Sequence, residues 1–319
     1  MRGEREPGER RAGGAEARAG PSAGERLDKG GRDGKRGAEG AIGRSAERLS
    51  RLAGTLFTAL VGVFLLAPLV VVAGVSVNAK RNLAFPPEGF SLSWYAAIVT
   101  DESWRDALLA SVTLALAAAT LAVAVALPLA WFLWRRVAPW ARVFELLGVA
   151  PFVLPPVITA LGFLSFWATL GVYGAPWTAA VAHGIFFVTL PLVTLSLGFA
   201  SIDRALSEAA ATLGATDAQV FRTVVLPSIR PYLVSGYAFA FVLSLNEYIV
   251  AHMSVGFTVE TLPVKIFNAL RYGYTPTMAA VSIVFVAVAA LVFGLIALFG
   301  DLPRLLGAPR EERGRRDGG

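Results

Sequence analysis

Apolar residues in this chain come in long unbroken runs, not in the alternation of half-buried strands or the one-sided stripes of surface helices. Residues 52–79, 107–134, 146–202, 231–246 and 272–300 contain no Asp, Glu, Lys or Arg. A helix needs about 20 apolar residues to cross a hydrocarbon core of about 30 Å, so these runs have the lengths of membrane spans. The run 146–202 has room for two, divided by the turn-forming Gly171-Val172-Tyr173-Gly174-Ala175-Pro176. The run 231–246 reaches spanning length only by continuing past Glu247. The pattern predicts an all-α polytopic membrane protein with six transmembrane helices, at 52–77, 107–134, 143–168, 178–200, 231–251 and 277–299.

Local chemistry refines these elements. The second helix is rich in Ala and includes Ser111, small residues that let helix backbones approach closely in lipid. The third contains Pro151, Pro155 and Pro156, so neighbouring helices or water must satisfy the carbonyls they free. Trp131 and Trp134 beside Arg135, with Trp94, Trp104, Trp167 and Trp177 towards the other boundary, read as interfacial anchors in contact with membrane lipid. Residues 1–51 are Arg, Gly, Glu and Ala with almost nothing apolar to bury, the composition of a disordered tail. Their charged stretch is too long for an ordinary secretory signal peptide. A second basic tail covers 307–319, leaving 52–306 as the membrane domain.

Only 16% of the 319 residues are charged and 55% are hydrophobic, whereas a soluble domain carries about 25% charged residues. Net charge is +6, and in a membrane protein its placement matters more than its sum; no nucleic-acid partner is implied. Alternating the segments across a bilayer puts 24 of the 29 Lys and Arg on the side of both termini and of the loop 201–230. The other side receives Lys80, Arg81, Arg105, Lys265 and Arg271. Both termini and that loop are therefore expected in the cytoplasm. There is no Cys, which excludes disulfides, thiolate metal sites and a thiol nucleophile.

The loop 201–230 is long for a connector and is patterned as helix. Ile202, Ala205, Leu206, Ala209, Ala210 and Leu213 recur at helical spacing, and Gly214 sits where a helix end takes a left-handed residue. Thr216 and Gln219 form a capping-box pair for a second helix, which carries Val220, Phe221, Val224 and Val225 and which Pro227 is expected to stop. The result is a short helical hairpin presented to the cytoplasm.

Glu208-Ala209-Ala210, Gly214 six residues after the Glu, and Leu226-Pro227 twelve residues after the Gly resemble the EAA loop of inner-membrane permeases of binding-protein-dependent ABC importers. Val224 stands where the usual pattern has Ile. Phe90-Ser91-Leu92-Ser93-Trp94-Tyr95 and Leu262-Pro263-Val264-Lys265-Ile266 are similar to the branch that includes spermidine/putrescine permeases. The resemblance implies a type I importer fold with no catalysis of its own. It implies cytoplasmic ABC ATPase subunits, a second permease subunit in a heterodimer, and an extracytoplasmic solute-binding protein. Glu208, Ala209 and Ala210 would then meet the ATPase, Gly214 would make the turn, Val220, Phe221 and Val224 would supply apolar contact, and Leu226-Pro227 would close the motif. ATP would bind the partner, because this chain has no glycine-rich loop ending in Lys-Ser or Lys-Thr, and no cofactor is expected here.

Glu247 is an acid inside a predicted span, where charged groups face a cavity or a partner. With Asn246 and Tyr248 it is a candidate for the substrate path, favouring a cation such as a polyamine; the alternative is that it pairs with a neighbouring helix or meets interfacial water. Ferric iron, phosphonate, amino acid and inorganic anion remain alternative solutes. His183 reads as a packing or hydrogen-bonding residue, and His252 has no second ligand at metal spacing, so no metal site is predicted. An ion-coupled secondary transporter would need coupling residues or an inverted repeat in the spans, and a membrane enzyme would need clustered His, Asp or Glu at one face.

Overall fold

The computed structural model describes residues 23–135, 141–256 and 258–299. Residues 1–22 of the expected N-terminal tail, and the whole tail at 307–319, lie outside them. From Ala23 the backbone is helical, in one element with the first apolar run. The chain divides into two units, Met1–Ala67 and Pro68–Gly319. The first contains most of α1 (Ala23–Ser76), whose apolar side chains from Leu52 to Leu66 are largely exposed, as a lipid-facing helix requires.

The second unit carries the remaining helices: α2 (Ser93–Thr100), α3 (Glu102–Arg135), α4 (Ala141–Val153), α5 (Pro156–Thr169), α6 (Pro176–Phe186) and α7 (Thr189–Ala200). After them come α8 (Arg204–Thr212), α9 (Asp217–Val220), α10 (Leu226–Asn246), α11 (Ile249–Val255), α12 (Leu262–Tyr272) and α13 (Pro276–Phe299). Among the described residues there is no strand, only an isolated bridge between Asn78 and Phe90. Among the described residues, four helical stretches are long and apolar enough to cross a membrane, and two bent pairs raise the possible spans to six.

The spans depart from straight rods where proline or a polar residue intervenes. The predicted third helix is α4 and α5, bent by 103° between Val153 and Pro156. Pro155 precedes Pro156, which disfavours helical ψ, and it takes ψ 130°. Thr189 of α7 donates to the Gly148 carbonyl at 2.8 Å, so a neighbouring helix does serve the proline-bent segment. The predicted fourth helix is α6 and α7, bent by 40°. Pro191 lies in the first turn of α7, and its ring would clash with the Phe187 carbonyl in an unbroken helix. The predicted fifth helix breaks at Glu247, where ψ is 131°, and resumes as α11.

The core is organised around α3. Its buried residues are mainly alanines: Ala107, Ala115, Ala118, Ala119, Ala122, Ala126 and Ala130. Ala107 and Ala115 join Ile98, Leu262, Met278 and Val281 in one cluster. Ala126 and Ala130 join Leu192, Leu195, Phe199 and Ile229 in a second. Ala119 and Ala122 join Ala160, Trp167, Ala182 and Ala240 in a third. Small side chains let α6, α7 and α10 all pack against one helix. Trp104 and Trp167, expected at the interface, are instead 8% and 3% exposed and fill this core.

The closest backbone approach in this packing is between α7 and α10. A Cβ on Gly236 would fall 2.7 Å from the Pro191 Cα, a backbone atom that cannot swing away. On Gly162 of α5 it would meet nothing within 4 Å. Gly236→Ala is expected to destabilise the protein by about 1–3 kcal/mol through overpacking. Gly162→Ala should be neutral or stabilising by about 0.5–1 kcal/mol, since Gly weakens a helix interior. Thermal unfolding in detergent checks the pair, and equal effects would refute the close approach.

Candidate functional site

The loop between α7 and α10 folds as the two-helix hairpin that its pattern predicts. Asp203 caps α8, accepting from the Ala205 N–H at 2.9 Å. Gly214 turns the chain with φ +86°. Thr216 and Gln219 close a reciprocal capping box on α9, the Gln219 Oε1 accepting from the Thr216 N–H at 2.7 Å. Pro227 does not stop the second helix. Residues Phe221–Val225 form a π-turn, in which the Leu226 N–H donates to the Phe221 carbonyl, and the chain continues directly into α10. Pro227 follows directly on this π-turn inside a continuous helix, where the change of register accommodates the N–H that it lacks.

Side chains of the hairpin divide into two sets. Glu208, Ala209 and Gly214 are exposed, as are Leu206 at 58% and Leu213 at 89%. Val220 is buried, and Ala210, Phe221, Val224 and Leu226 are half-buried against the cluster of α3, α7 and α10. The sequence reading offers Val220, Phe221 and Val224 as contact for a partner. The structure spends them largely on this chain's own core, because the second arm is the root of a spanning helix. The exposed apolar positions of the hairpin are on α8 and at the turn.

Trp131 and Trp134, read from sequence as interfacial anchors, pack inward under the hairpin. The Trp131 ring lies 5.1 Å from Phe221 at 71°, 5.9 Å from Phe199 and 5.4 Å from Trp134. Arg135 sits 5.2 Å from the Trp131 ring and pairs with Asp217 at 2.8 Å. Arg204 sits 5.9 Å from the Trp134 ring. Ring pairs contribute about 0.5–1.5 kcal/mol each beyond area burial, and exposed ion pairs about 0–1 kcal/mol. Asp217 is 77% exposed, so the rings dominate this attachment and the ion pair orients it. The spacing of Trp131 and Arg135, one turn apart on one face, is the signal in the sequence that marks them as a pair.

The second polar group lies at the break after α10. The extended backbone at Glu247 turns its carboxylate onto the start of α11, where the Val250 N–H donates to Oε1 at 2.9 Å and the Ala251 N–H to Oε2 at 3.0 Å. Helix N-termini leave such donors unpaired and favour negative charge. His183 of α6 brings Nε2 to 3.0 Å from Oε2. The contact is close, but its alignment falls short of a hydrogen bond. The His183 Nδ1 is 2.8 Å from the Ser244 hydroxyl. His183 is fully buried, and the Glu247 side chain is 10% exposed.

Of the readings left open for Glu247, pairing with a neighbouring helix is the one realised in this conformation. Its neighbours diverge. Asn246 is exposed and donates to the Val242 carbonyl of its own helix at 2.8 Å. Tyr248 stacks on His252 at 5.6 Å and meets Phe267 of α12 at 4.6 Å. Among the described residues no group of three or more His, Cys, Asp or Glu is placed to hold a metal.

Residues 89–302 match a family model described as the binding-protein-dependent transport system inner membrane component. The chain is 31% identical over 263 residues to the putrescine transport system permease protein PotI of Escherichia coli (strain K12), covering 80% of this chain and 90% of that protein. It is 29% identical over 231 residues to the spermidine/putrescine transport system permease protein PotC of Haemophilus influenzae (strain ATCC 51907 / DSM 11121 / KW20 / Rd), covering 72% and 89%. Among solved structures, an inward-facing MetNI methionine ABC transporter chain superposes with a TM-score of 0.54. The two are 16% identical over 66% of this chain and 99% of that one, a likeness of fold.

Removing His183 leaves the buried Glu247 carboxylate without its neighbour on α6, and taking one partner from a buried polar contact costs about 1–3 kcal/mol. Glu247→Gln removes the charge and keeps an acceptor for α11. His183→Ala is therefore expected to lower the thermal stability of the detergent-solubilised protein more than Glu247→Gln does. The reverse order would show that the His183 contact does not hold this junction.

Proposed function

Since this chain belongs to the inner-membrane components of binding-protein-dependent transport systems, we propose that it forms half of the translocation path of an ATP-driven importer for a polyamine of the putrescine or spermidine class. The solute would arrive on an extracytoplasmic binding protein, and a second, similar permease subunit would complete the path. ATP chemistry belongs to separate cytoplasmic ATPase subunits, and this chain is not itself an enzyme.

The observation that carries this reading is the folded hairpin from Arg204 to Leu226 between the fourth and fifth spans. A small amphipathic hairpin with exposed Leu206, Glu208 and Leu213 has no membrane to fill and serves as a plug for a partner's cleft. The excess of Lys and Arg on its side of the bilayer supports a cytoplasmic position for it and for both termini. Closure of an ATPase pair around two such hairpins would move them as levers and switch the spans between inward- and outward-open states. Polyamine identity rests on the identities to putrescine and spermidine/putrescine permeases. The polar break at Asn246-Glu247-Tyr248 is the position at which the path would meet a cation; Glu247 is satisfied by His183 in this state, so it would act only after that pair opens.

Gly214 separates this reading from a merely structural one. An added Cβ meets nothing within 4 Å, so only the left-handed backbone penalises a side chain, by about 1–2 kcal/mol. Asn adopts that conformation readily and Leu does not. Gly214→Leu is expected to abolish putrescine uptake while membrane insertion persists, and Gly214→Asn to retain uptake. The wild-type protein should co-purify with a soluble ATPase. Full uptake by the Leu variant, or purification without any ATPase, would overturn the coupling role.

A further inference from the structure

We infer that Trp131 and Phe221 form the joint through which movement of the hairpin reaches α3, with Arg135, Asp217 and Arg204 as the residues that position it. The inference rests on the importer reading above and adds the route by which force enters the bundle.

Beyond the chain link from α7 into α8 through residues 201–203, two routes lead from the hairpin into the spans. One is the backbone, from α9 into α10 through Phe221–Val225. That segment is a π-turn, a local break in α-helical bonding of the kind often found at functional sites. The other is lateral, onto the end of α3, and it is concentrated at two points. At one, Arg204, the first residue of α8, lies over the Trp134 ring and donates to the Trp134 carbonyl at 3.4 Å. At the other, Phe221 packs edge-on against Trp131 while Asp217, the first residue of α9, is paired with Arg135. Between these points the hairpin stands off α3 across a cleft of about 230 Å3, lined by Trp134, Arg135, Arg204, Ser207, Glu208 and Asp217.

Both arms are thus attached at their first residues to one turn of one helix. That helix joins all three core clusters, so a shift at its end is transmitted to α6, α7 and α10 together. Trp131 also touches Phe199 at the end of α7, so it links hairpin, second span and fourth span, as Trp134 does through Arg204 and Phe199. Close-packed rings transmit displacement because they have few alternative arrangements.

The test uses the assembled complex in proteoliposomes, reading putrescine transported per ATP hydrolysed. Trp131→Ala and Phe221→Ala should each lower that ratio about tenfold, within the range of coupling effects between sites. ATP hydrolysis and co-purification with the ATPase should be retained. Trp131→Phe, which keeps a ring against Phe221, should restore most of the ratio. An unchanged ratio in Phe221→Ala, or an equal fall in Trp131→Phe, would overturn the joint. If Trp131→Ala does not assemble, Phe221→Ala decides; failure of both to assemble would reduce these rings to structural packing and overturn the inference. A wild-type complex that hydrolyses no ATP would overturn the importer reading itself, whatever the variants do.

Discussion

The alanine face of α3 is the constraint on which the rest of the molecule depends. Hydrophobic exclusion of water cannot hold helices together inside lipid, where tails are as apolar as leucine. What remains is close contact, and close contact requires small side chains. Ala115, Ala119, Ala122 and Ala126 are all fully buried, and they let α6, α7 and α10 approach one helix from different sides. Gly184 does the same on the side of α6 that faces α3, and Gly198 and Gly236 do it between α7 and α10; an added Cβ at each would fall within 3 Å of a neighbouring atom. Large apolar side chains point the other way: Leu109, Leu121 and Val125 of α3 are exposed to the surroundings of the protein. The usual order of a soluble core, with large residues in and small ones out, is inverted along this helix.

Packing of this kind tolerates breaks if their polar groups are answered locally. The interruptions at Pro155-Pro156, at Phe187-Val188 and at Glu247 each expose backbone that would normally be bonded within a helix. At the third, a carboxylate answers two amides of α11 and is itself answered by His183, which is held by Ser244 of the helix just ended. The carboxylate, the two amides, His183 and Ser244 form a polar chain in an apolar setting. Such a chain gives a single register to α6, α10 and α11, since any sliding would strand a charge. A junction of that kind is rigid while closed, and it lies where the path for a cation is proposed.

The hairpin beyond α7 shows the same economy of small contacts in water. Its turn needs one left-handed residue, its second helix needs one capping box, and its attachment needs two indoles and two arginines. Residues that resemble a partner-binding face in sequence, Val220 and Phe221, face inward because α9 runs on into a spanning helix and must share that helix's buried side. The exposed leucines are on α8 and at the turn, the only parts free of the bundle's geometry.

Much of this was legible from the chain alone. Spanning segments follow from length and apolarity, because a bilayer leaves no other home for a run such as 52–79. The hairpin follows from helical spacing, Gly214 and the Thr216–Gln219 pair, all of which act over a few residues. Tertiary structure alone decided the pairing of His183 with Glu247, 64 positions apart in sequence, and the inward turn of Trp104, Trp131 and Trp167. It also decided that Pro227 would lie within a helix instead of ending one. Local rules state what a residue favours by itself; which neighbour meets a buried charge, and whether a π-turn can absorb a proline, depend on helices brought together from distant parts of the chain.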